Sequence, residues 1–191
     1  MSRISVVAIG ASLGGLEALQ RILSALPAQL GATVLIAQHR RKDPDSQLCG
    51  LLARRCALPL SEPEDKTPIE PDRVYLAPAD YHLLVEQGSI ALSVDAPVCY
   101  ARPSIDVLFE SVADAYGPAA LGVMLTSANH DGADGLAAIQ RAGGTVLVQD
   151  PKTAESAVGP LAALAKVRPD AVLPIEMIAE QIIQRCRPPK R

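Results

Sequence analysis

The chain has 191 residues, 49% of them apolar but only 3% aromatic, and a formal charge of −3. That length can bury one sizeable core, and a core of Ala, Val, Leu and Ile suits layered α/β packing, in which small side chains let helices approach a sheet. The near-balanced charge argues against a nucleic-acid binder that relies on phosphate contacts, and no run of about eighteen apolar residues offers a membrane span. The first residues lead straight into a strand rather than a signal peptide, so a cytoplasmic protein without membrane insertion is expected.

In chain order, Ile4–Ile9 is a short apolar, β-branched run ended by Gly10 and reads as a buried strand. Leu16, Leu19, Ile22, Leu23 and Leu26 then recur at helical spacing until Pro27. Thr33–Ala37 is a second strand ending at Gln38-His39, and a charged stretch, Arg40–Asp45, precedes an amphipathic helix over Ser46–Arg55. The middle third differs. Prolines 59, 63, 68, 71 and 78 punctuate short strands at Arg73–Leu76, His82–Val85 and Ser89–Ser93, the last two joined by a Gln87-Gly88 turn as a β-hairpin excursion. Helix is predicted over Ile105–Ala115, strand over Ala120–Thr126, helix over Gly132–Ala142 and strand over Thr145–Gln149. Helix over Ala157–Ala165, a short strand at Ala171–Leu173 and a last helix over Ile175–Arg185 complete the pattern, and the basic run Arg185–Arg191 reads as a frayed end. Alternating strand and helix predict a three-layer α/β/α, doubly wound, mostly parallel sheet in one domain, residues 1–191.

Four cysteines, Cys49, Cys56, Cys99 and Cys186, form no C-x-x-C pair and read as reduced thiols. The three histidines have no metal-ligand spacing, so a metal is not expected. In doubly wound sheets, sites form where strands end. Ser12 follows the first strand, His39 the second, and Asp131 the strand Ala120–Thr126. These are the parts of a nucleophilic triad, in which histidine takes the serine proton and aspartate fixes the histidine tautomer. Gly10-Ala11-Ser12-Leu13-Gly14 also satisfies G-x-S-x-G, a turn that exposes the hydroxyl beside the free N–H groups of the next helix. Each residue has a plainer reading. The glycines serve close packing, His39 is a surface or capping residue, and Asp131 caps the helix that follows it. His82 and His130 read as structural. The chain order Ser, His, Asp differs from that of the α/β-hydrolases, chymotrypsin and subtilisin.

That order, together with Ile9-Gly10-Ala11-Ser12, Gln38-His39, Val74–Pro78, Arg102–Phe109, Leu125-Thr126, Asp131-Gly132-Ala133, Gln149-Asp150 and Val172-Leu173-Pro174, resembles the catalytic domain of chemotaxis receptor methylesterases, the CheB-type protein-glutamate methylesterases. The resemblance runs over nearly the whole chain. It implies Ser12 as nucleophile, His39 as general base and Asp131 as orienting acid. It also implies hydrolysis of methylated glutamates, with glutamine deamidation alongside, on the cytoplasmic helical region of methyl-accepting chemoreceptors. No cofactor is implied, and Arg102–Ser104 are candidates to line the site. Family members usually carry an N-terminal receiver domain. This chain starts at the catalytic strand, so a lone domain with a separate response-regulator partner is the expectation.

Three positions depart from the family pattern. Leu13 stands where threonine usually follows the nucleophile, Ser127-Ala128-Asn129 replace Gly-Met-Gly before the acidic loop, and Val158-Gly159-Pro160 replace Gly-Met-Pro. A lost oxyanion donor lowers turnover by about 100- to 1000-fold. The alternative they raise is a weakened domain retained to bind a receptor or signalling partner. A phosphate loop at Gly10–Gly15 is a third reading, but it lacks both G-x-G-x-x-G and the P-loop lysine.

Overall fold

The computed structural model describes residues 3–42 and 47–187. Seven parallel strands form one sheet, in the order β3 (Leu60–Ser61), β4 (Val74–Leu76), β2 (Thr33–Gln38), β1 (Val6–Ala11), β7 (Ala120–Met124), β8 (Thr145–Gln149) and β9 (Ala171–Leu173). The remaining pair, β5 (His82–Glu86) and β6 (Ser89–Ser93), is an antiparallel hairpin outside that sheet. The predicted three-layer, doubly wound architecture is therefore correct, with every antiparallel contact between strands confined to the hairpin. The two-residue β3 is absent from the sequence reading, being too short for any periodicity to mark.

β1 is central because all six of its residues are apolar or glycine and all are buried. Alternate side chains serve opposite layers. Val7, Ile9 and Ala11 join the core beneath α1 (Gly15–Ala25) and α6 (Ile175–Cys186), together with Leu52 of α2 (Leu48–Ala53). Val6 and Ala8 join the core beneath α3 (Ile105–Tyr116), α4 (Ala133–Arg141), α5 (Val158–Lys166) and the hairpin. The predicted start of the second helix, Ser46, and the tail from residue 188 lie outside the described residues. Among those described, no helix is long and apolar enough to cross a membrane.

The chain winds outward from β1 through β2 on one side and, after the hairpin, through β7, β8 and β9 on the other. Such a reversal leaves a crevice at the carboxyl ends of the central strands. Two glycines shape that edge. Gly14 has φ +78°, a left-handed conformation that lets the chain turn sharply from β1 into α1. Gly10 lets α3 come close, because a Cβ there would lie 2.3 Å from Cγ2 of Ile105 and 3.1 Å from Cζ of Phe109. Gly10→Ala should accordingly cost about 1–3 kcal/mol through overpacking. Urea unfolding of the purified variant measures it, and an unchanged midpoint would show that α3 shifts freely.

Candidate active site

Register brings the first two predicted residues together. Ala11 of β1 pairs with Gln38 of β2, so Ser12 and His39 follow side by side on neighbouring parallel strands. The His39 N–H donates to Ala11 O at 3.0 Å, and Nε2 of Gln38 donates to the carbonyls of both Ser12 and His39 at 2.9 Å each. The Ser12 N–H donates to Thr126 O at 3.0 Å, tying the turn to the end of β7.

Asp131 completes the cluster through its contact with His39. Nε2 of His39 lies 2.7 Å from Oδ2 of Asp131, and the carboxylate is fully buried while 12% of the His39 side chain is exposed. Three further donors hold the same carboxylate. The N–H of Ile105 reaches Oδ2 at 2.7 Å, the N–H of Asp106 reaches Oδ1 at 3.0 Å, and Oγ of Ser104 reaches Oδ1 at 2.8 Å. Ser104 is the N-cap of α3, so Asp131 sits on the N-terminus of that helix, where unpaired N–H groups and the helix dipole favour an anion. Burial works to raise the Asp131 pKa. The bond to His39 and the N–H groups of Ile105 and Asp106 outweigh it and hold the carboxyl below the usual range.

This placement corrects two details of the sequence reading. Asp131 does not cap its own helix, whose N-cap is Gly132 with no side-chain bond. Nor does it follow directly from a strand end, since β7 stops at Met124 and a loop carries the chain onward. That loop contains Ser127-Ala128-Asn129, and it is internally braced. The Ser127 hydroxyl donates to Asn129 O and accepts from Asn129 N, both at 3.1 Å. Oδ1 of Asn129 accepts the Asp131 N–H at 3.1 Å, and its Nδ2 donates to Cys99 O at 2.8 Å. Polar side chains here hold the acidic loop where the family pattern has glycines. Leu13 is exposed beside Ser12, its carbonyl accepting from Oγ1 of Thr126 at 2.8 Å.

His82 is structural, as expected, yet it touches the site indirectly. Its Nδ1 accepts from the N–H of Ser104 at 3.2 Å and its Nε2 lies 3.1 Å from Ala96 O, a pairing assigned to the neutral Nε2–H tautomer. It therefore fixes the residue that caps α3. A serine after Pro103 at a helix start was a visible N-cap signal. Its reach to Asp131 was not visible, because the two lie 27 positions apart in the chain. His130 has Nε2 3.6 Å from Sγ of Cys99.

Cys99, Asp106 and Asp131 each place one ligand atom within 4.8 Å of the others. All the hydrogen-bonding directions of the Asp131 carboxylate are already engaged by N–H and O–H donors, which suits an orienting anion better than a metal ligand. The four cysteines are free thiols, and burial pushes that of Cys186 up to about 12.

The model of the CheB methylesterase family matches residues 7–182. The chain belongs to that family. A relative from Leptospira interrogans, whose name carries protein-glutamate methylesterase and protein-glutamine glutaminase, is 42% identical over 179 residues, 93% of each chain. A protein-glutamate methylesterase/protein-glutamine glutaminase of Anaeromyxobacter dehalogenans is 38% identical over 97% of this chain, which spans only 54% of that longer protein. The crystal structure of the Thermotoga maritima CheB methylesterase catalytic domain superposes with a TM-score of 0.90 at 29% identity, covering 96% of this chain and 99% of that one.

Asp106 gives the site a measurable pH signature. It is only 6% exposed, and its Oδ1 accepts the N–H of Gly135 at 2.7 Å. Burial, together with the charges of Asp131 and Asp134, outweighs that bond and pushes its carboxyl up to about 6. A carboxyl raised on folding stabilises the fold at low pH, and the contribution is lost as pH rises from about 4 through about 6. Asp106→Asn keeps an oxygen for Gly135 but does not titrate. Its stability relative to the parent should therefore improve between about pH 4.5 and 7.5, by roughly 2 kcal/mol at most. The lowered pKa of Asp131 acts in the opposite sense and at pH values below this window. A stability difference that stays flat with pH in urea titrations would contradict this account.

Proposed function

We propose that this chain is a protein-glutamate methylesterase that demethylates methyl-accepting chemoreceptors, with Ser12 as nucleophile, His39 as general base and Asp131 as the acid that orients it. The observation that carries the reading is the 2.7 Å bond from Nε2 of His39 to the buried Asp131, with Ser12 at the adjoining strand end of a CheB-family fold.

Asp131 occupies Nε2, so Nδ1 is the ring nitrogen available to the Ser12 hydroxyl. His39 takes the serine proton as Oγ attacks the ester carbonyl, then returns it to the departing methoxide, releasing methanol and leaving an acyl-enzyme. Water, activated by the same histidine, frees the glutamate. With a glutamine side chain the same steps release ammonia, the glutaminase activity in the relatives' names. Beyond the bond from Gly15 N to Ser12 O, the N–H groups of Leu13 and Gly14 enter no hydrogen bond with the described residues, and they are the candidate donors for the oxyanion. Both are backbone groups, so leucine at position 13 leaves them in place. The braced Ser127–Asn129 loop likewise favours an active enzyme over a binding remnant.

The family's chemistry points to the cytoplasmic helical region of chemoreceptors as the substrate and hence to the cytoplasm as the site of action. Control by a separate response regulator is part of the same reading, as is a single catalytic domain. The reaction uses no metal or cofactor in this account.

Methanol release from a methylated chemoreceptor cytoplasmic fragment tests the reading. The parent chain should demethylate it, Ser12→Ala should lower turnover by three orders of magnitude or more, and Asp131→Asn by about 10³- to 10⁴-fold. No release by a folded parent chain, in an assay where another family member is active, would remove the assignment.

A further inference from the structure

Beside His39 lies a groove of about 450 Å³ whose lining is strongly cationic. Among the described residues, Arg40, Arg41, Lys42 and Arg102 face it with one carboxylate, Asp80, although the chain as a whole carries −3. The cations are held differently. Arg102 is fixed, its Nε and Nη2 on Oδ1 of Asp80 at 3.1 and 2.5 Å and its Nη1 on Val94 O and Asp95 O at 2.6 and 2.8 Å. Lys42 pairs with the other oxygen of Asp80. Asp80 thus answers two cations with a single charge.

Arg40 is the unusual member. Its side chain is only 8% exposed, and Nη2 donates to Glu62 Oε1 at 2.7 Å and to Ala77 O at 2.8 Å. Its Nε and Nη1 are buried and find no acceptor among the described residues. Buried N–H groups of a cation are rarely left in that state. Arg41 is exposed and forms no ion pair among the described residues. Across the groove Tyr100 stands fully exposed at φ +63°, on the turn closed by the Val98–Ala101 bridge. A bare aromatic beside a cluster of arginines is the composition of a protein-binding surface.

We propose that this groove binds an acidic peptide segment, taking carboxylates that flank the reacting glutamyl ester while Tyr100 packs on the peptide's apolar atoms. The inference rests on the esterase reading for its substrate and adds the recognition that reading lacks. A glutamyl methyl ester is itself uncharged, so a cationic groove beside His39 gains nothing from the reacting group and acts on its neighbours. Arg41 supplies the accessible charge, whereas the charge of Arg40 is met by Glu62.

The test separates binding from turnover. Two labelled peptides share one methyl-esterified glutamate and differ only in flanks of glutamate or glutamine. Fluorescence anisotropy with the Ser12→Ala chain measures their affinities without hydrolysis. The glutamate-flanked peptide should bind about tenfold more tightly in low salt, and the preference should shrink as ionic strength approaches about 0.5 M. It should fall toward one in Ser12→Ala carrying Arg41→Ala, and invert in favour of the glutamine-flanked peptide with Arg41→Glu. Equal affinities for the two peptides would overturn the proposal whatever the esterase assay gives. Displacement by any polyanion without preference between the peptides would overturn it as well, in favour of a general anion surface. Methanol release from the parent chain, read separately on the same peptides, reports on the esterase assignment alone.

Discussion

The carboxylate of Asp131 on the N-terminus of α3 is the constraint from which the rest of the site follows. A buried carboxylate is costly unless its oxygens are filled, and here four donors fill them. Three come from consecutive residues at one helix start, so the acid is aimed by the direction of α3 more than by its own loop. The fourth is His39, which inherits its orientation from the carboxylate. α3 must therefore be placed accurately. Gly10 admits Ile105 against β1, and His82 holds the N–H of Ser104. Residues that touch no reacting atom set where the imidazole points.

Leu13 and Ser127–Asn129, two of the three departures from the family pattern, differ in what they change. Leu13 changes a side chain where the backbone N–H is the group of interest. Ser127-Ala128-Asn129 exchange the freedom of glycine for hydrogen bonds of their own, and Asn129 ends its network on the N–H of Asp131. The β7 end is also anchored on the other side. Oγ1 of Thr126 donates to Leu13 O and accepts from Ser156 N at 2.9 Å, while Ser156 Oγ donates to Ser127 O at 3.0 Å. The Ser12 turn and the Asp131 loop are thus stitched to one strand end, so a change in either is felt by both.

Charge divides along the same edge. Two neighbouring buried carboxylates, Asp131 and Asp106, are pushed in opposite directions, the first down by donors and the second up by burial and by its neighbour. One remains an anion for the histidine, while the other keeps its proton only below about pH 6. A few ångströms outward the sign changes. Arginines and a lysine surround the mouth next to His39, and among the described residues Asp80 partly offsets them.

Much of this was legible in the sequence. Apolar runs of four to six residues alternating with 3.6-residue periodicity specified a parallel sheet between helical layers, because strands buried on both faces have no polar side to show. Gly10-x-Ser12-x-Gly14 and the chain order of Ser12, His39 and Asp131 marked the candidate residues, since turn chemistry and strand ends are local properties. What only the tertiary structure decided was long-range. That Asp131 caps α3 and not its own helix, that His82 supports Ser104, and that Arg40 is buried with open N–H groups all depend on contacts between segments some twenty to ninety residues apart. Periodicity reports which face of an element is buried. It does not report which other element covers that face, and in this protein the covering element aims the acid.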